Sequence, residues 1–113
     1  ALGANPDTGN FLLVGQAGHE GVADVAHLPT MVHFKDFAPL PAGHEGHVYE
    51  GLDGAKFHGT VIGEGTVDLS RCVGTLREAG FDGWLNLEYE GDVDPFEGVP
   101  ASLSNTYRFV RGA

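Results

Sequence analysis

The chain has 113 residues, 42% of them hydrophobic, and 16 acidic side chains against 6 Lys and Arg give it a net charge of −10. This length suits one domain with a modest core, and no apolar run approaches the ~20 residues of a membrane-spanning helix, so we expect no membrane partner. Because an acidic surface repels phosphate backbones, we also expect no nucleic-acid partner. The single cysteine, Cys72, excludes an internal disulfide and a thiolate metal site, which is typical of a reducing compartment and predicts a cytoplasmic protein.

The amino-terminal third of the chain predicts a strand, a helix and a second strand. The apolar run "ALGAN" (1–5) is stopped by Pro6, which suits the end of a strand. Residues 16–28 have apolar side chains at roughly helical spacing, and Pro29 ends that helix. The β-branched and aromatic run "TMVHF" (30–34) then predicts a strand of about five residues.

The rest of the chain predicts a long loop, a helix, a strand and a final helix. The loop 37–65 is longer than the ~12–15 residues usual for structureless connections, so we expect it to be a substrate lid or disordered. Asp68 caps a helix that ends before Gly80, and "GWLNLEYE" (83–90) is a strand. Pro100 suits the first turn of the last helix.

Strands that alternate with helices indicate right-handed βαβ crossovers and a parallel sheet. The fold class is therefore α/β. Three parallel strands leave at least one sheet edge bare, which indicates that the architecture continues beyond this chain.

Polar side chains gather at the carboxyl ends of the three predicted strands, the edge where parallel α/β folds bind ligands. Asp7 lies just past the first strand. Alternation puts His33 and Lys35 on one face of the second strand, and Glu88 projects from the end of the third. Two carboxylates and an imidazole suit Mn²⁺, Mg²⁺ or Co²⁺ and also accept Zn²⁺. We therefore expect a divalent-metal site formed by Asp7, His33 and Glu88.

Each of these side chains also has an ordinary structural interpretation. His33 alone suits a core histidine, Asp7 a turn residue and Glu88 a solvated edge carboxylate. Their common position at the ends of successive strands favours the metal site. In the long loop, "GHEGH" (43–47) is interpreted as a polar lid tip rather than a ligand cluster, because a glycine-rich loop does not preorganise ligands. His58 either faces the site or stabilises a turn.

Four motifs carry a resemblance to a known family. "PDTGN", "VHFKD", "IGEGTVDL" and "AGFDGWLNLEYEGDVDP" resemble, in order and spacing, the carboxyl-terminal half of the sugar phosphate isomerase/epimerase family. The resemblance implies a xylose-isomerase-like (β/α)₈ TIM barrel, of which residues 1–113 are the carboxyl-terminal portion. In that barrel "ALGANPDTGN", "TMVHFKD" and "GWLNLEYEG" would be strands six, seven and eight, so the barrel is incomplete in this chain.

The resemblance also implies roles for individual residues. Three of the family's four metal ligands have counterparts here, namely Asp7, His33 and Glu88, whereas the fourth is a glutamate from an earlier strand. In members that epimerise ketoses, the two ligand glutamates also exchange the substrate proton, so Glu88 would be one acid/base of a pair. Lys35 and His58 are expected to contact substrate oxygens. Asn10 stands where the family frequently has a histidine, which leaves it at most a hydrogen bond to substrate.

The implied function is a role in carbohydrate metabolism. A divalent-metal-dependent isomerase or epimerase, with Mn²⁺ as one suitable metal, would move a proton next to the carbonyl of a sugar or cyclitol through an enediolate. Lyases, dehydratases and C-glycoside-cleaving relatives use the same site. An apurinic endonuclease shares the barrel, but the net charge of −10 and the absence of a histidine at Asn10 disfavour it.

A complete TIM barrel has eight strands in typically ~250 residues, so we expect this chain to be inactive alone. We expect the chain to be one part of a split enzyme that a complementary chain completes, a cleaved product, or a partial sequence. If it stands alone, self-association through the open sheet edges is the expected remedy. An inert fragment is the remaining alternative.

Overall fold

The computed structural model describes residues 2–112, so Ala1, the start of the first predicted strand, lies outside the described residues. Its strands are β1 (Met31–Phe34), β2 (Phe37–Pro39), β3 (Tyr49–Glu50), β4 (Lys56–Gly59) and β5 (Trp84–Leu87). Its helices are a 3₁₀ helix (Asn10–Val14), α1 (Gly18–Val25), α2 (Leu69–Glu78) and α3 (Pro95–Arg111). Among the helices of this range, none combines the length and the apolar character that crossing a membrane would require.

β1 and β5 form a parallel pair, with Met31 opposite Trp84 and Phe34 opposite Leu87. Along β1, burial alternates between half-buried and buried residues. Val32 therefore packs into the core, whereas His33 lies on the opposite face. The carboxyl ends of both strands consequently meet at one edge, and the residues that follow them are neighbours.

The first predicted strand is not a regular strand. Two isolated parallel bridges join this segment to the β1 region, Ala4 with Pro29 and Asp7 with His33. The two bridges are offset by one residue relative to each other, so no continuous ladder connects them. The segment still runs beside β1, since the His33 N–H donates to the Pro6 carbonyl (2.9 Å).

The segment 37–65 was expected to be a substrate lid or disordered, and the second alternative is wrong because the segment is folded. The lid role stays a prediction. The segment forms an antiparallel sheet in the order β2-β4-β3, here called the lid sheet. Phe37 is fully buried, and its ring stacks on that of Tyr49 with centroids 4.9 Å apart. This sheet could not be predicted from the sequence, because its strands are two to four residues long and too short to show a clear alternation of apolar and polar residues.

Two apolar clusters lie where α1 and α2 pack against the β1–β5 pair, and their buried members are Val22, Val32, Cys72 and Leu76 in one, and Phe34, Ile62, Leu69 and Val73 in the other. α2 begins as predicted, because the Asp68 carboxylate accepts the Arg71 N–H (3.1 Å). Burial raises the pKa of the Cys72 thiol to about 12, so this cysteine is an inert core residue.

The last helix starts five residues earlier than Pro100 predicted. Pro95 is its first residue, and the Asp94 carboxylate caps it by accepting the Phe96 N–H (2.8 Å). Both prolines satisfy the rule for a helix start, but only Pro95 follows a capping side chain. α3 is fixed to the rest of the fold by Ser102, whose hydroxyl accepts the Ile62 N–H (3.0 Å).

Candidate functional site

Asp7, His33 and Glu88 come together at the carboxyl edge of the β1–β5 pair. His33 Nδ1 lies 3.2 Å from Glu88 Oε2 and 3.9 Å from Asp7 Oδ2. One potential ligand atom from each of the three residues lies within 4.8 Å of the others. On the other side of the ring, His33 Nε2 is 3.3 Å from the amide nitrogen of Asn5, which leaves Nδ1 facing the carboxylates.

The Asp7 carboxylate is held by its own turn. Oδ1 accepts the N–H groups of Gly9 and Asn10, both at 3.0 Å, which turns Oδ2 toward His33. Oδ2 is buried, and no hydrogen bond of adequate geometry reaches it, although Lys35 Nζ is 3.1 Å away. A buried carboxylate oxygen without a hydrogen bond is a group that a bound cation would satisfy. The three residues therefore fit a divalent metal.

Lys35 lies in the centre of the cluster, and its side chain is only 3% exposed. Its ammonium group is 2.9 Å from Glu88, 3.1 Å from Asp7 and 3.3 Å from Glu90. The Asn10 side-chain oxygen accepts a hydrogen bond from the same ammonium (3.3 Å). One cation thus separates three carboxylates that would otherwise repel one another.

The two carboxylates of the cluster have opposite pKa shifts. Burial raises the pKa of Asp7, and the nearby Glu88 carboxylate raises it further. The interaction with Asp7 lowers the pKa of Glu88, as does Lys35. Glu88 is therefore the ionised partner, and Asp7 is the one that more readily holds a proton. Burial alone would lower the pKa of Lys35, but Glu88 and Asp7 outweigh it and raise that pKa.

The sequence matches the model of the family described as xylose isomerase-like TIM barrel over residues 1–109. The chain belongs to this family. A solved relative is the xylose isomerase domain protein from Planctomyces limnophilus, with 26% identity and a TM-score of 0.67. The alignment covers 98% of this chain and 37% of that one, so the chain spans little more than a third of the length of this relative. No curated protein matches the chain.

The predicted fold class and family are therefore confirmed. The chain forms part of a xylose isomerase-like barrel, and in residues 2–112 the strands do not close into a complete sheet. Its parallel β1–β5 pair carries the cluster at the edge where TIM barrels bind ligands.

Two supports of this barrel edge were missed by sequence reasoning. The buried Thr8 hydroxyl accepts the Lys35 N–H (2.9 Å) and donates to the Lys35 carbonyl (2.6 Å). The buried Asp36 carboxylate accepts the N–H groups of Gly63 (3.0 Å), Gly65 (2.9 Å) and Val67 (3.1 Å). An acidic residue two positions after a strand and a distant glycine-rich loop were the available signals, but neither shows that the two are in contact.

His58 does not join the Asp7–His33–Glu88 cluster. It lies on β4 of the lid sheet, where it forms a second group with His44 and Asp92. These three side chains line a cavity of about 420 Å³ together with Glu64. The contact between His58 and substrate stays a prediction. Such a contact would be made in this cavity.

Proposed function

We propose that this xylose isomerase-like chain is the carboxyl-terminal portion, residues 1–113, of a divalent-metal-dependent isomerase or epimerase of a sugar or cyclitol. The observation that supports the proposal best is the buried Asp7 Oδ2 without a hydrogen bond, beside an imidazole and a second carboxylate. An oxygen-rich set without thiolates favours Mn²⁺, Mg²⁺ or Co²⁺.

Asp7, His33 and Glu88 would hold the metal ion. When bound, such an ion polarises a carbonyl group and thereby acidifies the neighbouring C–H bond. The two carboxylates suit this role, because the lowered pKa of Glu88 keeps it ionised and a bound cation would offset the burial that raises the pKa of Asp7.

Glu88 is the residue proposed to move the substrate proton. Its side chain is 37% exposed, so a substrate can reach it, and its lowered pKa keeps it as a carboxylate at neutral pH. It would accept the proton from the carbon next to the carbonyl. Return of that proton to the carbonyl carbon, while the neighbouring hydroxyl proton passes to the carbonyl oxygen, would interconvert aldose and ketose. Inversion of the first carbon would need a second acid on its opposite face, the role expected of the ligand glutamate from an earlier strand.

Lys35 and Asn10 are proposed to bind substrate oxygens. The ammonium group of Lys35 lies 2.9 Å from Glu88, so it is adjacent to the place where negative charge develops on the substrate oxygen. Its raised pKa keeps it positively charged throughout the neutral range. Asn10 holds the ammonium group from the other side and would orient it.

The active assembly is also part of the proposal. β5 pairs only with β1 among residues 2–112, and Trp84 at its start is 78% exposed. We propose that a complementary chain, or a second copy of this chain, covers this edge. A cytoplasmic location would agree with the single, buried and reduced Cys72.

Native mass spectrometry with parallel metal analysis tests the proposed function. We expect a complex heavier than one chain that carries Mn²⁺, Mg²⁺ or Co²⁺, and that loses the ion in Asp7→Asn and Glu88→Ala. This complex should also incorporate deuterium next to the carbonyl of a ketose or cyclitol in D₂O. Glu90→Gln is the matched control, because Glu90 contacts Lys35 but is no member of the metal group.

A lone, metal-free chain would contradict the proposal, and so would metal binding that Asp7→Asn and Glu88→Ala leave unchanged. If the assembled complex binds metal but incorporates no deuterium, the result would agree with the proposed metal centre and contradict the proposed proton transfer.

A further inference from the structure

Three side chains from separate parts of the fold meet at the tip of the lid sheet. His44 lies in the connection between β2 and β3, His58 lies on β4, and Asp92 follows β5. One potential ligand atom from each of the three lies within 4.8 Å of the others. No two of them are neighbours in the sequence, so only the folded chain brings them together.

The contacts among these residues are specific. His44 Nε2 lies 3.3 Å from Asp92 Oδ2, and the His44 and His58 rings have centroids 5.0 Å apart. The other oxygen of Asp92, Oδ1, accepts the His47 N–H (3.1 Å), which leaves Oδ2 to face the imidazole. The His44 side chain is only 9% exposed, although it belongs to a connection at the surface.

The backbone of this connection is shaped around the Asp92 carboxylate. A Cβ atom at Gly46 would lie 2.3 Å from the Asp92 carboxylate carbon, so a side chain at this position would displace the carboxylate. The Gly59–Gly91 bridge joins β4 to the same segment after β5. His44, His58 and Asp92 are thus held in place by backbone contacts on two sides.

We propose that His44, His58 and Asp92 form a second divalent-metal site, separate from the Asp7–His33–Glu88 cluster, that takes Zn²⁺ or a similar borderline ion. Two imidazoles and one carboxylate are a typical ligand set for Zn²⁺, whereas the first cluster has the more oxygen-rich set. Three protein ligands leave one position of a tetrahedral ion open toward the cavity of about 420 Å³ that Glu64 also lines.

The second ion would fasten the lid sheet to the segment that follows β5. That segment also contains Glu90, which contacts Lys35 in the first cluster. Binding of Zn²⁺ therefore connects the position of the lid sheet to one wall of the proposed active site.

Titration of the 113-residue protein with Co²⁺, followed by its visible absorption, tests the second site. We expect the intense bands of four-coordinate Co²⁺, which Zn²⁺ displaces. His44→Ala and His58→Ala should each remove these bands and one bound ion, with a loss of affinity above the ~10–100-fold that a supporting residue costs. His47→Ala is the matched control, because this neighbouring histidine is exposed and outside the group.

Cleavage by a glutamate-specific protease after the exposed Glu45 provides a second readout. Zn²⁺ should slow this cleavage at least about 10-fold in the wild type, and should leave it unchanged in His44→Ala. If His58→Ala fails to fold, His44→Ala alone tests the site, because His44 lies outside the strands and its replacement should not disturb the sheet. Bands and protection that persist in His44→Ala would overturn the proposal.

The second site and the proposed function fail independently. His44→Ala should leave Mn²⁺ binding at the first cluster unchanged, and Glu88→Ala should leave the four-coordinate Co²⁺ bands unchanged. Loss of these bands in Glu88→Ala but not in His44→Ala would assign them to the first cluster and overturn the second site.

Discussion

Lys35 is the residue on which the electrostatics of the candidate site depend. Its ammonium group is buried among the carboxylates of Asp7, Glu88 and Glu90. Burial of one charge is costly, but removal of this ammonium group would leave the three carboxylates with much less compensation. The site therefore needs either this lysine or an added cation to be stable.

Lys35→Met should lower the free energy of unfolding at neutral pH by about 3 kcal/mol, because it breaks a buried ion-pair network. The pKa of Lys35 is raised above the ordinary 10.5, so its stabilisation is complete below pH 10.5 and is lost as the pH rises through the higher folded value. The pKa of Glu88 is lowered from 4.5. The stabilisation that ionised Glu88 contributes is therefore complete above pH 4.5 and is lost as the pH falls through the lower folded value.

Urea unfolding between pH 3 and pH 12 measures this difference. The difference in unfolding free energy between the wild type and Lys35→Met should be largest between pH 4.5 and pH 10.5. It should become smaller at lower and at higher pH. Lys56→Met is the control, because Lys56 is exposed and should change stability by less than about 0.5 kcal/mol. A gap that is constant across the whole range would refute the ion-pair explanation.

At the scale of secondary-structure elements, Asp36 connects the end of β1 to the loop that precedes α2. Its carboxylate accepts three backbone N–H groups between Gly63 and Val67, and it is almost fully buried. This contact fixes the loop beside the site and thereby positions α2 against β1.

Asp36→Asn should destabilise the protein by about 2–4 kcal/mol, since the amide nitrogen of asparagine would face at least one buried N–H donor that needs an acceptor. Thermal unfolding monitored by circular dichroism measures the loss. Asp82→Asn, at an exposed position in the turn before β5, should remain close to the wild type. An equally small effect at Asp36 would show that its three hydrogen bonds contribute little.

At the scale of the whole molecule, the exposed side of the β1–β5 pair is the main feature. Trp84 is the single tryptophan of the chain and is 78% exposed on this side. Large exposed aromatic side chains at an unpaired sheet edge are typical of an interaction surface.

Tryptophan fluorescence can therefore report directly on the completion of the barrel. In dilute solution the emission maximum should be that of a solvent-exposed indole, and it should move to shorter wavelength when a complementary chain or a second copy covers the edge. Analytical ultracentrifugation of the same samples provides the assembly state. Association without any shift would place the contact elsewhere on the surface.

The sequence by itself determined the α/β class, the family, the cap of α2 and the grouping of Asp7, His33 and Glu88. The family was predicted from four motifs that resemble it. The other features depend on local patterns: alternation along β1, a capping side chain at Asp68, and the rule that parallel strands end at one edge. The roles assigned to the grouped residues stay predictions.

Only the tertiary structure decided the central position of Lys35, the Asp36 contact, the lid sheet and the meeting of His44 with Asp92. Each of these joins residues that are far apart in the chain, and no local pattern encodes the distance between them. The physical reason is that hydrogen bonds and ion pairs act over a few ångströms in space, whereas periodicity and capping act over a few residues along the chain.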